Sequence, residues 1–104
     1  MTNYKDYRFD VELTVSDQAN PDDLIFQIDD EAAAAGWITY AVGDPRSLYI
    51  QIVGDSNEIT PRGRDSFCKW LAALDGVTRC RSTGIHSVRA DAPPFVHDYT
   101  CGPG

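Results

Sequence analysis

Residues 7–15 carry the feature that most constrains the fold, an uninterrupted alternation of apolar and polar side chains. The apolar positions are Tyr7, Phe9, Val11, Leu13 and Val15. Because successive side chains of a strand point to opposite faces, this pattern predicts a strand with one buried face and one face in water. A half-exposed strand favours an antiparallel or mixed sheet over a fully covered parallel one.

Two helices are predicted by the same local signals. Asn20 and Thr60 each precede a proline. Side chains of these types cap the free N–H groups of a helix start, and proline suits the first helical position. Gly36 and Gly76 follow the two apolar-periodic segments, and glycine commonly ends a helix. The sequence therefore predicts one helix between Asn20 and Gly36 and a second between Thr60 and Gly76.

Three further segments are predicted to be strands. Residues 37–42 and 48–53 are rich in β-branched and aromatic side chains, and Gly43 and Pro45 lie between them. This arrangement is typical of a hairpin, here with a loop of about four residues. Residues 77–83 form a weaker strand pattern after the second helix.

The resulting order of elements predicts an α+β fold of the ferredoxin-like type, βαββαβ. In this fold a four-stranded antiparallel sheet has the order 4-1-3-2 and carries two helices on one face. We expect residues 1–89 to form a single α+β domain. Residues 90–104 hold three of the six prolines, so we expect a Pro/Gly-containing C-terminal tail without regular structure.

The charge of the chain is strongly acidic and unevenly distributed. The formal net charge is −7, with a balance of −9 through residue 58 and +2 after it. Direct binding to nucleic acid depends on clustered cations and is therefore disfavoured. Much of the negative charge falls on the first helix and its flanks, at Asp17, Asp22, Asp23, Asp29, Asp30 and Glu31. This pattern fits either a solvated helix face or a docking surface for a basic protein partner.

The open face of the predicted sheet offers an alternative site. In the expected topology the last strand lies beside the first, so the arginines of one strand face the acids of the other. Such pairs are ordinary cross-strand ion pairs, or else part of a ligand site. The residues concerned are Asp10, Glu12, Tyr49, Gln51, Arg79 and Arg81.

No catalytic, cofactor or metal motif is present in the sequence. There is no phosphate-binding glycine loop, no Gly-x-Ser-x-Gly elbow and no Cys-x-x-Cys pair. His86, His97 and Cys101 are the only cluster of soft metal ligands in the sequence, and their spacing is too loose to indicate zinc. We expect no catalytic residue, no cofactor and no metal.

The three cysteines and the N-terminal residues indicate a compartment. An odd number of widely spaced cysteines favours reduced thiols. The first residues contain no apolar segment of the kind found in a targeting signal, and no apolar run is long enough to span a membrane. We therefore expect a cytoplasmic protein that does not contact membranes.

The element order is similar to that of acylphosphatases and of RNA-recognition motifs, but their functional residues are absent. Acylphosphatases carry an arginine-bearing loop after strand 1, whereas residues 16–20 contain an acid and no arginine. The third strand, residues 48–53, lacks the basic and doubly aromatic signature of RNA-recognition motifs. Fold analogy alone gives no function.

Our first hypothesis is a non-catalytic, acidic protein-interaction module that binds a basic protein surface. Its more specific form is an inhibitor or decoy of a nucleic-acid-binding complex, of the kind that phages direct against host defence systems such as CRISPR. The first alternative is a small-molecule-binding or enzymatic domain that uses the open sheet face. The second is a structural subunit that forms homodimers or larger homo-oligomers.

Overall fold

A computed structural model describes residues 6–55, 58–91 and 93–101. The first strand, β1 (Tyr7–Val15), confirms the alternation, because four of the five predicted apolar positions are buried. Tyr7 is exposed at the beginning of the strand. Asp10, which the alternation places in water, is instead fully buried.

Both predicted helices are present, and each begins at its predicted cap. In α1 (Pro21–Ala34) the Asn20 side chain accepts hydrogen bonds from two backbone N–H groups of the first turn. In α2 (Pro61–Ala72) the Thr60 hydroxyl oxygen accepts one from the N–H of Gly63, at 3.0 Å. These bonds satisfy donors that a helix start otherwise leaves free.

The predicted hairpin is confirmed, but its loop is shorter than expected. The strands β2 (Ile38–Asp44) and β3 (Ser47–Gly54) are joined by Pro45 and Arg46 alone. The Asp44 carboxylate closes the turn by accepting hydrogen bonds from the backbone N–H groups of residues 46 and 47. Gly43 has φ +104°, in the region that favours glycine.

The sheet has six strands, so the predicted four-stranded ferredoxin-like sheet was wrong, although the first four strands keep the predicted order 4-1-3-2 within it. After β4 (Val77–Thr83) come β5 (His86–Ser87) and β6 (Phe95–Tyr99). The order is β2-β3-β1-β4-β6, with β5 paired to β1, and all pairs are antiparallel. β6 lies within residues 90–104, where the sequence predicts an irregular tail. Its five residues follow two prolines and are too few for a clear alternation, whereas β4 offers a free edge that pairs with them.

One apolar core lies between the helices and one face of the sheet. β1 contributes Phe9, Val11 and Leu13, which lie opposite Ile52, Ile50 and Leu48 of β3. The buried apolar side chains of both helices belong to the same cluster. The opposite face of the sheet therefore carries no helix and is called the open face below.

Two predictions about composition bear on the fold. Cys68, Cys80 and Cys101 are all free thiols. Within the described residues, neither helix is long and apolar enough to cross a membrane.

Candidate functional site

β2 is the outermost strand on one side of the sheet. In the described chain it pairs with β3 and with no other strand. Its large apolar side chains are exposed: Ile38 at 42%, Tyr40 at 55% and Val42 at 59%. Ile38, Tyr40 and Val42 alternate along β2, so their side chains share one face of the sheet. Tyr40 lies opposite Gln51 of β3, which lies opposite Asp10 of β1, and this shared face is the open face. We call the three side chains, together with the outer backbone of β2, the β2 edge.

The β2 edge lacks the devices that usually protect an edge strand. Natural edge strands are commonly short, bulged, or interrupted by lysine or proline. β2 has seven residues, no lysine or proline, and a regular register with β3. Its outer N–H and C=O groups can therefore accept a further strand over most of its length.

Acidic residues of α1 lie beside this edge. The Thr39 hydroxyl of β2 donates a hydrogen bond to the Asp29 carboxylate, which places α1 over the helix-side face of β2. Asp22 and Phe26 precede Asp29 by seven and three positions, so the three side chains form one stripe along the helix. Phe26 is 68% exposed. We call Asp22, Phe26 and Asp29 the α1 stripe.

The six acids predicted as interaction residues are all exposed, but they do not form one patch. Asp17 lies near the β2–β3 turn, where Arg46 Nε approaches its carboxylate at 3.2 Å. Glu31 lies on the side of α1 that faces α2 and lines a cavity there. The remaining four, Asp22, Asp23, Asp29 and Asp30, follow the outer surface of α1. Within the described residues no cluster of acids, histidines or cysteines is arranged to hold a metal ion.

The alternative site on the open face contains two separate charge clusters. In the first, the fully buried Asp10 accepts a hydrogen bond from the Tyr49 hydroxyl, and Arg8 Nε lies 3.2 Å from its other oxygen. Burial, then the hydrogen bond to Asp10 and its charge, raise the pKa of Tyr49 to about 12. Arg8 Nε also donates to His86 Nε2 at 3.0 Å. Since His86 Nδ1 lies 3.0 Å from the Gly84 carbonyl, this geometry requires the neutral tautomer with the proton on Nδ1.

The second cluster is an ion pair under an aromatic ring. Arg81 Nε donates to a Glu12 carboxylate oxygen at 3.0 Å, and its guanidinium carbon lies 5.0 Å from the centre of the Phe95 ring. The remaining two predicted residues are not part of either cluster's bonding: Arg79 lies opposite Thr14, and Gln51 opposite Asp10. The predicted pairing of strand 4 arginines with strand 1 acids is thus present at one position.

Sequence reasoning missed Arg8, His86 and Phe95, which complete these clusters. Arg8 is one of only three bases before residue 59 and alternates with Asp10, which was a usable signal. His86 and Phe95 reach the open face through β5 and β6. Residues 85–89 were expected to extend the fourth strand past Gly84 and not to pair with the first strand, and β6 was not predicted. The charges of Arg8, Asp10, Glu12 and Arg81 are paired within these two clusters, which is the arrangement of a structural network.

A groove of about 600 Å³ lies between α2 and β6. On its floor the Tyr99 hydroxyl donates to Asp65 Oδ1 at 2.7 Å, and Arg64 Nη2 approaches the same oxygen at 3.1 Å. The hydrogen bond from Tyr99, and then that from Arg64, lower the pKa of Asp65. Lys69, His97 and Asp98 complete a lining of both charge signs, which selects no single class of ligand.

Comparison with models of known protein families, with curated protein sequences and with solved structures finds no match for this chain.

Proposed function

We propose that this protein is a non-catalytic binding module that takes a basic, extended segment of a partner protein as an additional strand on the β2 edge. The observation that carries the proposal is the exposure of three large apolar side chains along an outermost strand that has no further strand beside it in the described chain. Strand addition of this kind gains affinity from backbone hydrogen bonds and specificity from alternate side chains.

The two sides of β2 define the chemistry of the partner segment. On the open face its side chains would meet Ile38, Tyr40 and Val42, so they are apolar. On the helix side they would meet the α1 stripe with its two carboxylates, so they are basic. A strand with apolar and basic residues in alternation satisfies both sides at once.

A second copy of this chain is a poorer occupant of the same edge. Antiparallel pairing of two β2 strands would bring two α1 helices side by side, because α1 packs beside β2. Each helix would present Asp22 and Asp29 to the other, and like charges at short range repel unless salt screens them. The formal charge of −7 on each chain adds to this repulsion.

The narrower form of the proposal is an inhibitor or decoy that occupies a nucleic-acid-binding protein. It is supported by the net charge of −7 and by the exposed acids of α1. A protein groove that normally holds phosphates is a basic surface, and the acids would occupy it. This form extends the strand proposal and does not depend on a different site.

The test uses a labelled peptide of the same length as β2 in which lysine and valine alternate. Fluorescence anisotropy would measure its dissociation constant for the wild-type protein. A peptide of identical charge with proline at its centre is the control, because proline cannot complete the backbone pairing. We expect the proline peptide to bind at least about tenfold more weakly, a difference of about 1.4 kcal/mol.

Two matched variants locate the binding site. Val42→Lys changes the β2 edge, and Val96→Lys makes the same change on β6 at the opposite edge, where the valine is 62% exposed. We expect Val42→Lys to raise the dissociation constant of the alternating peptide by about tenfold, and Val96→Lys to raise it by less than about twofold. Equal effects of the two variants, or equal binding of the two peptides, would show simple charge attraction and overturn the proposal. Dimers of the free protein that Val42→Lys abolishes would identify a second copy as the occupant and also overturn it.

A further inference from the structure

A second cavity lies on the helix side of the molecule, between the C-terminal half of α1 and the middle of α2. Its volume is about 270 Å³. It is smaller than most pockets for whole metabolites, which measure roughly 300–1,000 Å³. Its main lining residues are Glu31, Ala35, Trp37, Ser66, Phe67 and Trp70.

The aromatic wall of this cavity is held in a fixed arrangement. Trp37 and Phe67 meet edge to face with their ring centres 5.3 Å apart, and Phe67 stacks on Trp70 at 5.6 Å. The Trp37 indole N–H donates to the Glu58 carbonyl at 2.9 Å, which fixes the ring in its plane. The wall is therefore formed before any ligand arrives, which lowers the entropy lost on binding.

The charge of the cavity has one sign. Of the described residues that line it, Glu31 alone carries a formal charge. Within the described chain Glu31 forms no ion pair, so its charge is not neutralised by a protein cation.

We propose that this cavity binds a methylated ammonium group. Aromatic walls with a nearby carboxylate recognise quaternary ammonium ions through cation–π attraction. A bare lysine ammonium is strongly hydrated and loses more on entering an apolar cavity than a methylated one. The shared chemistry is the trimethylammonium head, which is carried by free choline and by trimethyllysine in a protein. This site is separate from the β2 edge and does not depend on the function proposed above.

The chain supplies its own probe for the test. It contains two tryptophans, and both line the cavity. The intrinsic fluorescence would be followed during titration with choline chloride at constant ionic strength. The control ligand is 3,3-dimethyl-1-butanol, which has the same shape without the charge. We expect a saturable change with choline and at least about fivefold weaker binding of the alcohol, an energy difference of about 1 kcal/mol.

Variants on α1 test the role of charge. Glu31→Gln removes the carboxylate at the cavity, and Asp30→Asn removes an adjacent exposed carboxylate that does not line it. We expect Glu31→Gln to raise the dissociation constant of choline by about threefold to fivefold, since an exposed charge contributes at most about 1 kcal/mol. Asp30→Asn should leave the dissociation constant unchanged. Both side chains are exposed, so neither variant should disturb folding.

A peptide that contains trimethyllysine distinguishes the two sources of the head group. Tighter binding of the trimethylated peptide than of its unmethylated form would support a protein source of the head group. Tighter binding of choline than of the trimethylated peptide would support a small-molecule source. The proposal is overturned if the alcohol binds as well as choline, if the two α1 variants weaken choline equally, or if no ligand changes the fluorescence. Val42→Lys should have no effect here, so this test and that of the β2 edge fail independently.

Discussion

Replacing Asp10 by asparagine would show whether the charges of the open face stabilise the sheet or are kept there for a ligand. Asp10 is fully buried, and its two oxygens face Tyr49 and Arg8. The oxygen nearer Arg8 lies 3.2 Å from Nε but has no hydrogen bond of good geometry within the described chain. The carboxylate is thus engaged by charge on one side and by a hydrogen bond on the other.

The expected loss follows from what asparagine keeps and what it removes. The amide oxygen can still accept the hydrogen bond from Tyr49, but a neutral acceptor contributes about 0.5–1.5 kcal/mol where a charged one contributes about 1.5–3 kcal/mol. The charge is lost, and the Arg8 side chain, which is only 16% exposed, is left without its counter-ion. Removing one partner of a buried ion pair typically costs about 3–5 kcal/mol. Because Arg8 keeps some access to water, we expect Asp10→Asn to lower the free energy of unfolding by about 3 kcal/mol.

Urea denaturation measures this change directly, provided that the slope of the transition is unchanged. Glu12→Gln is the matched control, since it removes a carboxylate from the same strand face where both partners are more than a quarter exposed. The loss there should be about 1 kcal/mol or less. If Asp10→Asn were neutral or stabilising, the stability argument would be refuted. The carboxylate would then be retained against stability, as at many functional sites, and the open face would become the preferred ligand site.

Two further outcomes follow from the α2–β6 contacts and from the thiols. Asp65 has a pKa lowered from 3.8, first by the hydrogen bond from Tyr99, so the stability that it contributes is present above its ordinary pKa and is lost as pH falls through the lowered value. Tyr99→Phe removes that hydrogen bond, so the urea midpoint of the variant should decrease less between neutral and acidic pH than that of the wild type. An equal decrease in both proteins would contradict this reasoning. Cys101 is half-buried, its thiol pKa is raised by burial, and Cys68 and Cys80 are fully buried. A colorimetric thiol reagent should thus label one cysteine slowly in the native protein and all three in urea, and Cys101→Ser should abolish the native reaction.

Local sequence signals predicted most of the elements because each of them rests on neighbouring residues. The caps at Asn20 and Thr60 act within one helical turn, and they are where the sequence places them. The strand pattern of β1 depends only on alternation, and its core residues are buried as expected. These features do not depend on which strands lie beside one another.

The errors arose where a distant segment decides the outcome. Asp10 lies on the predicted wet face, but β5 and β6 bring further side chains to that face. The ring centre of Phe95 in β6 lies 5.9 Å from that of Tyr49. A four-stranded sheet without β6 would leave this side of the Tyr49 ring without that contact. β6 was not predicted because two prolines precede it, so the sequence did not show that Tyr49, the partner of Asp10, packs against Phe95.

The exposure of β2 shows a second limit of sequence patterns. β2 and β3 are both rich in β-branched and aromatic residues, and composition does not tell a central strand from an outermost one. In the structure β3 has a regularly alternating buried face, whereas β2 is exposed along nearly its whole length. The candidate site therefore became visible only from the order of the strands.

The acids of α1 lie beside the apolar β2 edge, so their charge bears on which strands could pair with that edge. An exposed apolar edge strand promotes association with any strand that it meets, including that of a second copy. If the β2 edge binds a strand as proposed, carboxylates beside it would make the choice selective, because they would repel an identical chain and attract a basic one. Salt should have opposite effects on partner binding and on self-association. Screening, with a Debye length of about 8 Å, should weaken the binding of a basic partner and reduce the repulsion between two copies of this chain. In the proposed function, the acidic helix would both disfavour self-association at the edge and select a basic strand as the partner.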